Sequence, residues 1–174
     1  QAALQLRERG RVQIQDRLPA APAAESTSAA PVAAKKAFRE LQGRLPWPTT
    51  GTILRAFGRT LNPATQTQEQ NDGIDIKAAF GTPVRSVAAG VVNHTGYVDG
   101  FGLVVVLEHG PYATVYAHLG KIQVTRGEQV DPGENLGLVG ETGVTDAGGP
   151  RLHFEVRYHQ SPQNPTQWLR SRSR

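Results

Sequence analysis

At 174 residues and 38% hydrophobic composition, the chain holds one domain with a sizeable core plus some extra length, and leaves no room for a second large domain. It has no cysteine, which excludes disulfides and thiolate metal sites. Its net charge of +4 comes from arginines gathered toward the two ends, not from a basic stretch interleaved with aromatics of the kind that binds single-stranded nucleic acid, so no nucleic-acid partner is expected.

The longest apolar runs, such as Leu103 to Leu107, fall far short of the roughly 20 residues that span a bilayer, and no charged-then-apolar secretory signal opens the chain. The opening Gln leads us to expect a trimmed chain. Residues 1–18 carry Leu4, Leu6, Val12, Ile14 and Leu18 among charges, an imperfect helical pattern interrupted by Gly10. Residues 20–34 are mostly Ala, Pro and Ser; with so few large side chains they cannot offset their ordering entropy and read as a linker. KKAFRELQGRL then spaces Phe38, Leu41 and Leu45 as a short helical stripe that Gly43 or Pro46 ends. The expected divisions are 1–45, a helical remnant and Ala/Pro-rich linker; 46–170, a folded domain; and 171–174, a basic tail.

From Trp47 onward, short β-branched runs alternate with Gly, Pro, Asn and Asp, which predicts an all-β domain. Strands are expected at Thr52 to Phe57, Ile74 to Ile76, Pro83 to Ala89, Gly90 to Thr95, Gly102 to Glu108, Ala113 to Leu119, Gln129 to Val130, Asn135 to Val139 and Leu152 to Tyr158. Turn signals such as Asn71-Asp72-Gly73, Asp99-Gly100 and Asp131-Pro132-Gly133 separate them.

Three of these strands carry a polar row, because successive side chains point to opposite faces. Asp75 opposes Ile74 and Ile76. Thr114, Tyr116 and His118 oppose Val115, Ala117 and Leu119. Arg151 and His153, continued by Glu155 and Arg157, oppose Leu152, Phe154 and Val156. If the strands adjoin, Asp75, His118, Arg151 and His153 converge in a groove, the way zinc ligands are gathered from separate strands. Spacing alone fits equally the solvent face of half-buried strands. His94, His109 and His159 fall beside turn residues and read as incidental.

The segments WPTTGTILRAFG, DGIDIKAAFGTPVRSVAAGVV, GFGLVVVLEHG, YAHL, GEQVDPGENLGLVGETG, GPRLHFEVR and NPTQWL, in this order from Trp47 to Leu169, resemble the lysostaphin-type LytM domain. That resemblance implies an antiparallel β-sheet domain with a groove, in a family of zinc endopeptidases that cut peptidoglycan cross-links. In its active members a His stands at the position of Asn71, Asp at Asp75, His at His118, and a His-x-His at Arg151 and His153. The first His, the Asp and the last His hold zinc, and the other two histidines serve the water and the transition state. Here an amide stands at one ligand position and an arginine at one catalytic position. Asp75 and His153 leave two ligands where a catalytic zinc takes three, and Arg151 stays protonated and cannot act as a base.

Asn71, the retained GID and YAH, and RLHFEVR resemble the degenerate LytM proteins of the NlpD and EnvC type. This implies a non-catalytic regulator that binds and activates a periplasmic N-acetylmuramoyl-L-alanine amidase during cell separation, in the periplasm or on the outer membrane facing it. The implied partners are the amidase, peptidoglycan and an upstream membrane division complex. Asn71 with Arg151 is similar to NlpD and RLPWPTTG to EnvC, so both types stay open. The expected partner-binding groove comprises Asn71, Asp75, Tyr116, His118, Arg151 and His153, with no catalytic residue and no cofactor; Asn71, Asp75 and His153 are vestigial ligand positions. Zinc enters only under an alternative, an endopeptidase with an unusual ligand set; a peptidoglycan-binding module is the third reading. Residues 1–45 are either a disordered tail or an element held across the groove.

Overall fold

β-branched alternation becomes strand after strand because each half-buried run can hide one face only by pairing with neighbours. The structure, a computed structural model, describes residues 38–172; the expectations for residues 1–18 and 20–34 lie outside the described residues. The described residues form β1 (Thr52–Arg55), β2 (Gly58–Asn62), β3 (Thr67–Asn71), β4 (Ile74–Lys77), β5 (Pro83–Arg85), β6 (Gly90–Val98) and β7 (Gly102–His109). There follow β8 (Tyr112–Ile122), β9 (Gln129–Val130), β10 (Asn135–Val139), β11 (Arg151–Tyr158), β12 (Ser161–Gln163) and the short helix α1 (Pro165–Trp168).

One antiparallel sheet runs in the order β1-β4-β11-β8-β7-β6-β9, with β10 joining β8 to β5 and β12 lying on β11. The all-β architecture expected from the sequence is therefore present. Elements absent from the sequence reading are β12, α1 and the separate β2–β3 hairpin. GRTLN and TQEQN carry no apolar alternation, and both strands are largely exposed. α1 starts where Asn164 Oδ1 accepts from Thr166 N at 3.1 Å and Pro165 occupies the first turn, a local signal of a helix start.

The larger core cluster lies on one face of the sheet and includes Ile74, Ile76, Val105, Leu107, Tyr116, Leu119, Leu152 and Phe154. A smaller cluster on the other face joins Val98, Val104, Val106, Val115 and Ala117. β7 and β8 are thus covered on both faces, which is why GLVVVLEH reads as an almost unbroken apolar run. The predicted stripe Phe38, Leu41, Leu45 is helical only at 38–40 and then turns, yet all three residues pack into the larger core. Phe38 stacks on His109 at 4.6 Å and on Trp168 at 5.1 Å between ring centres. The core therefore draws on residues ahead of the expected boundary at 46.

His109 is not incidental. It is buried, with Nδ1 2.6 Å from the Ala89 carbonyl and Nε2 2.9 Å from Thr114 Oγ1. Burial pushes its imidazole down to about 4.

Candidate functional site

β4, β11 and β8 are neighbours, and their register sets His153 opposite Asp75 on one side and Ala117 on the other. Residues directly opposite in a ladder share a face, so Asp75 and His153 meet. Asp75 Oδ1 lies 2.5 Å from His153 Nδ1, His153 Nε2 lies 2.8 Å from Glu155 Oε1, and Arg157 Nε donates to Glu155 Oε2 at 2.6 Å. Arg151 and His153 were open to reading as a wet strand face, and the structure corrects this: Asp75, Arg151, His153, Glu155 and Arg157 are all buried, between 1% and 7% exposed. Charges withdrawn from water in this way are tolerable only as paired, hydrogen-bonded chains.

The titrations follow from that chain. Burial alone pushes the His153 imidazole down, but the Asp75 carboxylate, by charge and hydrogen bond, and then Glu155 outweigh it and hold it up to about 10. Burial raises the Glu155 carboxyl, and its bonds to His153 and Arg157 outweigh that and bring it to about 2. Asp75 is likewise lowered, its burial outweighed by His153, then Arg55 and His118.

Tyr116 does not line the groove. It is fully buried in the core beside Phe154, and its hydroxyl accepts from Val87 N at 3.2 Å and lies 3.2 Å from Thr114 Oγ1. Strict alternation predicted that Tyr116 and His118 share a face, but His118 has φ 61°, a left-handed backbone that resets the alternation. Leu119 returns to the core while the His118 ring swings toward His153, 6.1 Å between ring centres. His118 Nδ1 donates to the Thr142 carbonyl at 2.8 Å, leaving the Nε2 lone pair free. Burial, and then the charge of His153, push this imidazole down to about 4, so it is neutral at neutral pH.

Arg151 is buried rather than on an open wall. Its Nε donates to the Gly149 carbonyl at 3.2 Å and its two terminal nitrogens donate to the two oxygens of Asp146, Nη1 at 3.0 Å. Asn71 is committed to backbone: Nδ2 donates to Ala56 O at 3.1 Å and Oδ1 accepts from Gly73 N at 3.4 Å.

These residues do not fit a zinc ion. Only Asp75 and His153 converge as donors, and a metal there would have to displace the proton they share. Asn71 offers its oxygen to Gly73, and the second oxygen of Asp75 faces two guanidiniums, Arg55 Nη1 at 3.7 Å and Arg151 Nη1 at 3.9 Å. Among the described residues no group of three or more His, Asp or Glu side chains is arranged to hold a metal.

Sequence reasoning left out Arg55, Glu69, Thr142 and Asp146 and gave Glu155 and Arg157 no role. The last two stood in the alternation of RLHFEVR and were findable there. Arg55, which reaches Glu69 at 2.5 Å, and Asp146 come from β1 and a loop whose meeting with β11 is tertiary.

Residues 69–165 match the model of Peptidase family M23. The chain belongs to that family. Among M23 relatives, it is 40% identical over 134 residues to the cell division protein DipM of Caulobacter vibrioides, covering 76% of this chain and 21% of DipM. It is 36% identical over 129 residues to the murein hydrolase activator EnvC of Escherichia coli, covering 74% of this chain and 29% of EnvC. A zinc-containing peptidase from Vibrio cholerae superposes with a TM-score of 0.64 at 30% identity, over 72% of this chain and 40% of that one. The chain thus spans less than a third of the length of both curated relatives. The fold is shared with a zinc-containing peptidase, and the same sequence is similar to proteins named for cell division and for murein hydrolase activation.

Proposed function

We propose that this chain is a non-catalytic regulator that binds a periplasmic peptidoglycan amidase through its groove and activates it during cell separation. The observation that carries this reading is the state of the ligand positions: Asp75 and His153 are turned to each other, Asn71 is turned to backbone, and two guanidiniums stand at the remaining oxygen of Asp75. A site so arranged lacks the third ligand and, with Arg151 in place of a histidine, one of the two groups that would serve zinc-bound water. His118 is nevertheless held near His153, with 6.1 Å between ring centres, by a backbone conformation that costs of order 1 kcal/mol for a residue with a Cβ. The names of the E. coli and Caulobacter relatives, an activator of murein hydrolases and a cell division protein, agree with regulation. The same reading implies a location in the periplasm, or at the outer membrane facing the periplasm.

The test uses dye-labelled peptidoglycan sacculi and an N-acetylmuramoyl-L-alanine amidase from the same bacterium. We expect no dye release by this chain alone and a several-fold increase when it is added to the amidase. Release without amidase, abolished by a chelator, would instead establish the second reading, an M23 endopeptidase with an unusual ligand set, which the likeness to the Vibrio zinc peptidase favours.

A further inference from the structure

Arg151 differs from the other two guanidiniums of the site in what neutralises it. Arg55 is paired with Glu69 at 2.5 Å and Arg157 with Glu155 at 2.6 Å, and both carboxylates sit on β-strands, Glu69 on β3 of the hairpin and Glu155 on β11 of the main sheet. The side chain of Arg151 is 3% exposed, yet its bidentate partner Asp146 belongs to the loop between β10 and β11 and is 42% exposed. Asp75, at 3.9 Å, is too far to replace it and is already bonded to His153. Among the described residues, 145–148 make no backbone hydrogen bond to the body; the loop stretch is tied down by the Asp146 carboxylate on Arg151. Gly143 (φ 71°) and Gly149 (φ 75°) flank it with the left-handed backbone that suits a hinge.

A nearly buried guanidinium is costly to leave without a counter-ion. Anything that enters the groove and lifts this loop must therefore bring an acceptor of the same geometry, and a carboxylate matches the guanidinium fork in both spacing and charge. We propose that Asp146 is a resident substitute for an acidic side chain of the partner protein, which displaces it and takes its bidentate place on Arg151. This rests on the reading of the groove as a partner-binding site. It assigns the two residues opposite effects: Arg151 receives the partner, and Asp146 competes with it.

Two arms test the exchange. In the first, without any partner, N-acetylglutamate is the carboxylate probe and the Arg151 Nε–H signal is followed by NMR, assigned by its loss in Arg151→Lys. In Asp146→Ala the probe should shift that signal at a concentration about fivefold lower than in the unaltered chain, the factor set by removing one rim charge pair. No response of Arg151 in Asp146→Ala would overturn the proposal. In the second arm, Asp146→Ala should lower the concentration giving half-maximal amidase stimulation, again about fivefold, while Arg151→Lys should raise it. Equal losses in both variants would make the ion pair a fixed staple of the rim and overturn the exchange. If the probe arm responds and the unaltered chain stimulates no amidase, the carboxylate site stands and the amidase reading falls.

Discussion

Asp75 and His153 face each other across the β4–β11 pair, 2.5 Å from Oδ1 to Nδ1, at two positions that the LytM resemblance implies were zinc ligands. Here a proton is shared between them, and Glu155 closes the chain on the far side of the ring at 2.8 Å. The two ring nitrogens of His153 are thus both partnered by carboxylates, so the stability of this chain of groups depends on protonation.

Glu155→Gln removes one of the two carboxylates that hold His153 charged and leaves Arg157 without its partner. Breaking a buried pair costs about 3–5 kcal/mol, readable as a lower urea midpoint. The pH dependence has a definite sign. His153 is raised from 6.5 to about 10, so its contribution is fully present below 6.5 and is lost as pH rises through 10. In Glu155→Gln that loss should begin at lower pH; an unchanged alkaline limb would sink the assignment.

The acid limb has a different origin. His109 and His118 are both lowered from 6.5 to about 4, so the unfolded chain takes up their protons first and stability falls as pH drops from 6.5 toward 4. Each contributes a slope of about 1.4 kcal/mol per pH unit at most. His109→Gln should remove a distinct part of the slope in urea midpoints measured across this window, with His118 and His94, which burial also lowers, supplying the rest.

Tyr116 and His118 should separate cleanly. Tyr116→Phe leaves the buried Val87 N–H without its acceptor and should cost about 1–3 kcal/mol, with amidase stimulation at saturation unchanged. At His118 the backbone needs a positive φ, so His118→Gly should be more stable than His118→Ala by about 1 kcal/mol, while both lose the groove side chain and the stimulation that depends on it.

Metal content gives the last prediction. After exposure to equimolar zinc and gel filtration, the unaltered chain should retain none in stoichiometric amount. Asn71→His with Arg151→His restores the third donor, removes one of the two opposing guanidiniums and should retain zinc; failure of the double variant would mean that the obstacle lies elsewhere than in these two positions.

Much of the fold was legible because alternation and turn residues are local. β9 and β10 stand where the sequence placed them, and β4 and β7 lie within a residue of their expected bounds. The polar β2–β3 hairpin was not legible, since its strands bury no regular apolar face for periodicity to report.

The site divides in the same way. Sequence alone determined the residue types on which the proposed loss of zinc chemistry rests, an amide at Asn71 and a fixed positive charge at Arg151. Only the tertiary structure decided where the remaining side chains point. One left-handed residue at His118 sends Tyr116 and His118 to opposite faces, and alternation cannot anticipate a backbone turn that the surrounding packing imposes. Only the tertiary structure, too, gave Arg151 its counter-ion: Asp146 is close in sequence, but that their charges meet over a buried floor follows from the sheet that carries β11 between β4 and β8.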